Sequence, residues 1–234
     1  LYQYITMNTL FLIFLGVIII VLLYLVYIYY FSPVTTLSPS LWLNQNNPPV
    51  ATVANQQSAI FTYGVWVYIN TWNQGPTNLF KCSTADKTHF SLDLPNSTPT
   101  LTCTVNTAVS ACNPTSSPTV IPITQNFGIQ RWVYVLVSVN ATIVDCYLDG
   151  KLVTSTQLNG IPTISCGTNN NWSIQYGSGD IYLSNFQRWT TATDPATAAA
   201  YYKIKPASVK AFSNYSANVQ LTVDGVPAQS LKLF

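Results

Sequence analysis

Residues 10–31 carry 22 consecutive positions without a charged side chain, and Gly16 is the only small residue among them. At about 1.5 Å of rise per helical residue such a run reaches roughly 33 Å, against a hydrocarbon core of about 30 Å, so it predicts a single helix long enough to span a bilayer. Tyr2 and Tyr4 before it, and Tyr24, Tyr27, Tyr29 and Tyr30 near its end, suit the aromatic belt where a helix leaves lipid. A secretory signal would show a basic start, a shorter apolar core and a small-residue cleavage site, and none of these is present, so the run is expected to stay as an anchor. Met7 would suit an initiator for an anchor opening MNTLFLIF.

The periodicity changes after this run. Residues 32–57 hold Pro33, Pro39, Pro48 and Pro49 among Ser, Thr and Asn, a composition that favours extended backbone and resists helix, and they read as a semi-rigid stalk. Leu41, Trp42 and Leu43 interrupt it as the first piece to dock on the domain C-terminal to it. From Ile60 the pattern has period two: Phe61, Tyr63, Val65, Val67 and Ile69 share one face, Trp66 and Tyr68 the other. This is a β-strand apolar on both sides.

Further strand-like runs at 78–82, 88–94, 100–105 and 120–124 recur about every ten residues, the spacing of a sandwich or barrel. Residues 131–157 read as three consecutive strands, with Asp149-Gly150 supplying the positive φ of a type I′ hairpin between the last two. A second unit runs 172–176, the Gly177-Ser178-Gly179 turn and 181–189. Asp194-Pro195 then offers an N-cap and first helical residue for a short helix through Ala198, Ala199 and Tyr202. The tail from Asn218 carries another Asp-Gly turn at Asp224-Gly225. No fixed-period repeat or heptad occurs.

Composition narrows the function classes. Of 234 residues, about 200 lie after the helix, enough for one large all-β domain with a real core. The mean hydropathy of +0.24 is carried by the helix alone. Charged residues make up 7% and the net charge is +2, with the nine Lys and Arg scattered, so nucleic acid is excluded as a partner. Four N-glycosylation sequons, at Asn96, Asn140, Asn171 and Asn214, are what 20 Asn and 48 Ser or Thr would make by chance. Five cysteines leave one over after any full pairing. Cys103 and Cys112 flank a loop of small and polar residues, where a local disulfide is expected; the alternative is five buried thiols.

The succession FTYGVWVYINTW, RWVYVLVSV, DCYLDGKLVTS and GSGDIYLSNFQRW, then a short helix opened by Asp-Pro, resembles the concanavalin A-like and laminin G-like superfamily over residues 58–205. The resemblance implies an all-β fold, an antiparallel β-sandwich of the jelly-roll type, here preceded by one N-terminal transmembrane helix. The expected organisation is a lead-in and transmembrane helix at 1–31, a stalk at 32–57, a lectin-like sandwich at 58–206 and a C-terminal extension at 207–234, β and packed on the sandwich. An anchor, a Pro-rich stalk and a charge-poor domain of this type also resemble the membrane-anchored minor capsid proteins of large icosahedral double-stranded DNA viruses. That resemblance implies a structural protein of the virion, at the interface of inner membrane and capsid, whose partners are the lipid membrane and neighbouring capsid proteins. The alternative is a membrane-anchored surface lectin that binds a glycan.

Catalytic chemistry finds little to use. Glucanases of the superfamily employ paired carboxylates, usually Glu, and this chain has none; its seven acidic residues are all Asp. Asp145 and Asp149 flank a hairpin turn and Asp180 opens a strand. The lone His89 gives no base for a Ser or Cys nucleophile, and no CxxC or HxxxH spacing suggests a metal. No enzyme, no catalytic residue and no resident cofactor are expected. Calcium, which the resemblance allows, would draw on Asn169, Asn170, Asn171 and Asp180. Trp72 and Trp172 are the tryptophans considered for stacking on a sugar.

Overall fold

The long apolar run becomes helix and the period-two segments become strands in the computed structural model, which describes residues 2–31, 34–44, 51–53, 58–72, 77–84, 88–95, 98–108, 116–162, 172–204, 218–223 and 226–232. In chain order the elements are α1 (Tyr2–Phe31), β1 (Val34–Trp42), β2 (Ala51–Val53), β3 (Ile60–Ile69), β4 (Thr77–Ser83), β5 (Thr88–Leu94), β6 (Leu101–Ala108) and β7 (Ser116–Thr124). After these come β8 (Trp132–Asn140), β9 (Ile143–Leu148), β10 (Lys151–Gln157), β11 (Ile161–Pro162), β12 (Trp172–Tyr176), β13 (Ile181–Trp189), α2 (Pro195–Tyr202), β14 (Asn218–Val223) and β15 (Val226–Lys232).

Chain contacts divide residues 1–35 from 36–234. In the first unit, the described side chains of α1, residues 11–25, are apolar and mostly solvent-facing, with Phe11 and Ile20 among the most exposed. Among the described residues no helix is long and apolar enough to cross a membrane. Fifteen helical residues rise roughly 22 Å, short of the hydrocarbon core, so the span expected of 10–31 extends beyond the described side chains.

The second unit is an antiparallel sandwich. One sheet has six strands in the order β1-β13-β3-β8-β9-β10, and the other has seven, in the order β11-β6-β5-β4-β12-β2 with β7 also paired to β6. Their facing sides form one core. Phe61, Tyr63, Val65, Val67 and Ile69 of β3 enter it as the alternation requires, meeting Phe80, Phe90, Leu92, Leu101 and Val105 of the opposite sheet. Tyr63 lies against Phe80, Phe90 and Phe186, with centroids 5.4, 5.0 and 6.1 Å away. β8, β9 and β10 form the expected meander. Its second turn has Asp149 at φ 49° and Gly150 at φ 76°, the pair of positive values that Asp-Gly is suited to supply.

Two expectations are corrected. The stretch 32–57 is not a free stalk: it supplies β1 at the edge of the six-stranded sheet and β2 in the other, and Leu41, Leu43 and Val53 are buried. Pro39 fits because an edge strand has N–H positions that no neighbour needs, while its carbonyl accepts a hydrogen bond from Ser184 Oγ at 3.3 Å. The second correction concerns Gly177-Ser178-Gly179, which joins strands of different sheets, β12 and β13, and so carries the chain across the sandwich.

The outer side of the six-stranded sheet has its own small core. Trp66, Tyr134, Leu136 and Tyr147 are roofed by α2 through Ala198, with Trp132 and Tyr201 packed around them. Asp194 caps α2 as its sequence suggests, accepting from the N–H groups of Ala196 at 2.8 Å and Thr197 at 3.1 Å. Gly64 has no side chain because none fits: a Cβ there would come within 2.8 Å of the Trp189 ring. Gly150 is pressed in the same way, its hypothetical Cβ 2.9 Å from Tyr202 Cβ. β14 and β15 pair with each other in a separate two-stranded sheet; Asp224 and Gly225 lie outside the described residues, and 207–217 with them.

Candidate functional site

Strand alternation sends Phe90, Leu92 and Leu94 of β5 into the core and leaves Ser91 and Asp93 on the outer side of the seven-stranded sheet. The neighbouring strands bring matching polar residues into line: Asn78 of β4 stands opposite Asp93 on one side and Thr102 of β6 on the other, with Thr104 opposite Ser91. Around them an open depression of about 410 Å³ is lined by Thr77, Asn78, Asp93, Pro95, Thr102, Thr104 and Val120. Asp93 is the carboxylate in it.

Two hydroxyls hold the Asp93 carboxylate in place. Its Oδ2 accepts from Ser91 Oγ at 2.6 Å and from Thr104 Oγ1 at 3.0 Å. Burial pushes its pKa above the usual carboxylate value, and these two hydrogen bonds pull part of the way back. The depression thus presents a fixed acceptor, an amide and several hydroxyls at a half-desolvated spot. Such groups match the alternating donors and acceptors of a polyhydroxylated ligand. Glycosidic hydrolysis needs two carboxyl groups about 5 to 9.5 Å apart, and the described lining holds one.

The residues singled out from the sequence take other roles. Asp149 is structural: Oδ1 accepts from the Tyr134 N–H at 2.9 Å and Oδ2 pairs with Arg131 at 3.1 Å. Asp145 sits in register between Ser138 and Ser155 on β9. Asp180 fastens a corner, accepting from Trp42 Nε1 at 3.3 Å, Asn70 Nδ2 at 2.6 Å and Thr71 Oγ1 at 3.3 Å. These donors occupy both of its oxygens. Asn169, Asn170 and Asn171, its expected partners for calcium, lie outside the described residues, and among the described residues no cluster of three metal-ligating side chains occurs. His89 is buried and stacked on Trp172, ring centroids 3.8 Å apart.

Trp172 is itself a buried core residue, and Trp72 is half-buried and packs against the core. Cys82, Cys103 and Cys146 are buried free thiols, and burial lifts Cys82 to about 12, far from nucleophilic use. Cys112 and Cys166 lie outside the described residues, so the expected pairing of Cys103 with Cys112 involves a partner the structure does not describe. Sequence reasoning passed over Asp93, because a single Asp in an otherwise apolar run has no motif around it. The signal was the alternation of Ser91 and Asp93 with Phe90, Leu92 and Leu94, beside Thr102 and Thr104 alternating with Leu101, Cys103 and Val105.

The concanavalin A-like lectin/glucanases superfamily model matches residues 43–187. No curated protein matches the chain in sequence. Among solved structures, the receptor-binding domain of botulinum neurotoxin D aligns with a TM-score of 0.55 at 9% identity, covering 72% of this chain and 44% of that one. The binding domain of botulinum neurotoxin DC in complex with rat synaptotagmin II aligns at 0.51 and 13% identity, covering 73% and 45%. The same toxin's binding domain in complex with SialylT aligns at 0.51 and 12%, covering 66% and 38%. The chain spans less than half the length of these structures, and at such identities the likeness is one of fold.

Proposed function

The chain belongs to the concanavalin A-like lectin/glucanases superfamily, and from that premise we propose that it is a non-enzymatic binding protein, held to a membrane by α1, whose sandwich recognises a glycan on the outer side of the seven-stranded sheet. The observation that carries the reading is the Asp93 depression, with its carboxylate oriented by Ser91 and Thr104 and flanked by Asn78 and Thr102. A single oriented carboxylate accepts hydrogen bonds from sugar hydroxyls but supplies only half of a glycosidase pair. With Pro95 and Val120 as its apolar share, the depression suits a ligand bound mainly through hydrogen bonds. The anchor rests on the uncharged run 10–31 and its flanking tyrosines.

The test is a glycan array probed with the full chain in lipid nanodiscs. A defined subset of glycans should be retained, and Asp93→Ala or Asn78→Ala should abolish retention while the melting temperature changes by a few degrees at most. Absence of any bound glycan, or binding indifferent to both substitutions, would reject the site.

A second reading is favoured by the scarcity of charge: among the described residues one ion pair occurs, Arg131 with Asp149. A protein of this kind, placed between the inner membrane and capsid shell of a large DNA virus, would pack on its neighbours through apolar and Asn, Thr or Ser contacts. Its release from native particles by mild detergent, and not by salt raised to about 1 M, where the screening length is about 3 Å, would favour this reading. Release by salt with the membrane intact would count against it.

A further inference from the structure

On the outer side of the six-stranded sheet, beside the cluster roofed by α2 and sharing Trp132 with it, four aromatic residues form a ladder across four adjacent strands. Trp42 of β1 stacks on Tyr182 of β13 with centroids 5.7 Å apart, Tyr182 meets Tyr68 of β3 at 6.1 Å, and Tyr68 meets Trp132 of β8 at 5.5 Å. All four are half-buried, and at the edge of the ladder Tyr202 and Ile204 are exposed, 39% and 57%. With strands about 4.8 Å apart, the ladder is roughly 14 Å wide. It is a half-buried apolar strip that α2 meets only at the Trp132 end.

The ring geometry disfavours a sugar. Trp42 and Tyr182 are parallel within 4° and turn faces to each other, whereas Tyr68 is inclined 68° to Tyr182 and 51° to Trp132. The rings share no plane on which a pyranose would lie. Branched aliphatic side chains, which fill uneven hollows between tilted rings, are the better complement.

Such a set occurs in the same chain. β14 and β15 pair only with each other among the described strands, and a lone two-stranded hairpin is marginal in water unless one side is packed. The sequence of β14 alternates Val219, Leu221 and Val223 with Asn218, Gln220 and Thr222, and the register sets Val226 opposite Val223 and Leu231 opposite Val219. The chain also leaves the sandwich at the right place. The Ile204 carbonyl accepts from Trp66 Nε1 at 3.0 Å, and Trp66 lies two positions, about 7 Å, along β3 from Tyr68. Thirteen residues, 205–217, reach up to about 45 Å, ample to return the hairpin across the strip.

We propose that the C-terminal hairpin β14–β15 is the cover of the aromatic ladder, docked by its aliphatic set on Trp42, Tyr182, Tyr68 and Trp132. The sandwich therefore has one binding side open, around Asp93, and one side closed by its own tail. Glycan binding plays no part in this inference, and its failure would leave the inference standing.

The experiment is hydroxyl-radical footprinting with mass spectrometry on the full chain in nanodiscs, wild type against the double variant Leu221→Asp, Leu231→Asp, at two protein concentrations tenfold apart. Oxidation of Trp42, Tyr68, Trp132 and Tyr182 should rise several-fold in the variant at both concentrations, while Trp172 and Trp189 stay protected in both proteins. Equal oxidation of the ladder in the two proteins would overturn the proposal. So would protection that grows with concentration, which would assign the strip to a second copy of the chain. The reciprocal variant Tyr182→Ser should speed amide exchange in 218–232 several-fold, and unchanged exchange there would also overturn it.

Discussion

The two outer sides of the sandwich are built from strands of similar length and carry opposite chemistry. Across the seven-stranded sheet the outward positions include Asn78, Ser91, Asp93, Thr102 and Thr104, of which Ser91, Thr102 and Thr104 hydrogen-bond to Asp93, and they border a depression open to solvent. Across the six-stranded sheet the outward positions include Trp66, Tyr134, Tyr147 and Trp189, roofed by α2, and Tyr68, Trp132 and Tyr182 of the half-buried ladder. A face of small hydroxyl residues tolerates water and can trade it for a ligand's hydroxyls. A face of large rings cannot, and the chain uses a helix to cover much of it. On the proposed reading, stability lies with one side and recognition with the other, and substitutions should divide accordingly.

The largest effect is expected under α2. Trp189 is 2% exposed and stacks on Tyr201 at 4.5 Å, so Trp189→Ala should cost about 3 to 5 kcal/mol in chemical denaturation. A loss below about 1 kcal/mol would show that the roofed side is not a second core. Next comes Gly150→Val, which places a β-branched residue at φ 76° and against Tyr202 and Ala199. Strain at such a position costs about 1 to 3 kcal/mol, and unchanged thermal stability would dissolve the link between hairpin and helix.

The smallest effects distinguish the two sides by the sign of their pH dependence. Asp194 has a pKa lowered chiefly by the Thr197 hydroxyl, then by the Thr197 N–H, so the stability it lends is present above the ordinary carboxylate value and is lost as pH falls through its own lower one. Asp93 has a pKa raised by burial, so its contribution is full in acid and is lost as pH rises through the raised value. Asp194→Asn should therefore be less stable than wild type at pH 7, with the gap closing in acid. Asp93→Asn should be slightly more stable at pH 7, with its gap also closing in acid. Melting curves from pH 3 to 7 check both, and the same sign for the two variants would contradict the contrast.

Much of the fold was legible because its signals were local. The alternation of β3, the meander β8–β10, the Asp149-Gly150 turn and the Asp194-Pro195 cap each arise from a few neighbouring residues. β1 was not legible, since Pro39 and the Ser-Thr background read as a linker, and only the partner strand β13 turns that extended segment into sheet. The side chains of the candidate site were legible only as an alternation. What makes Asp93 notable, a register that lines up β4, β5 and β6, is set by contacts far apart in sequence. The tryptophans show the same limit: Trp172 and Trp42 look alike in the sequence, and the sheet buries one and leaves the other half-exposed.

The division of labour between the two sides is tested most directly by titrating an array-selected glycan onto the full chain in nanodiscs and comparing wild type, Asp93→Ala and Trp132→Ser. The expected result is an affinity at least tenfold weaker for Asp93→Ala and unchanged within twofold for Trp132→Ser. Loss of binding in Trp132→Ser with Asp93→Ala unaffected would contradict the account, placing recognition on the aromatic side.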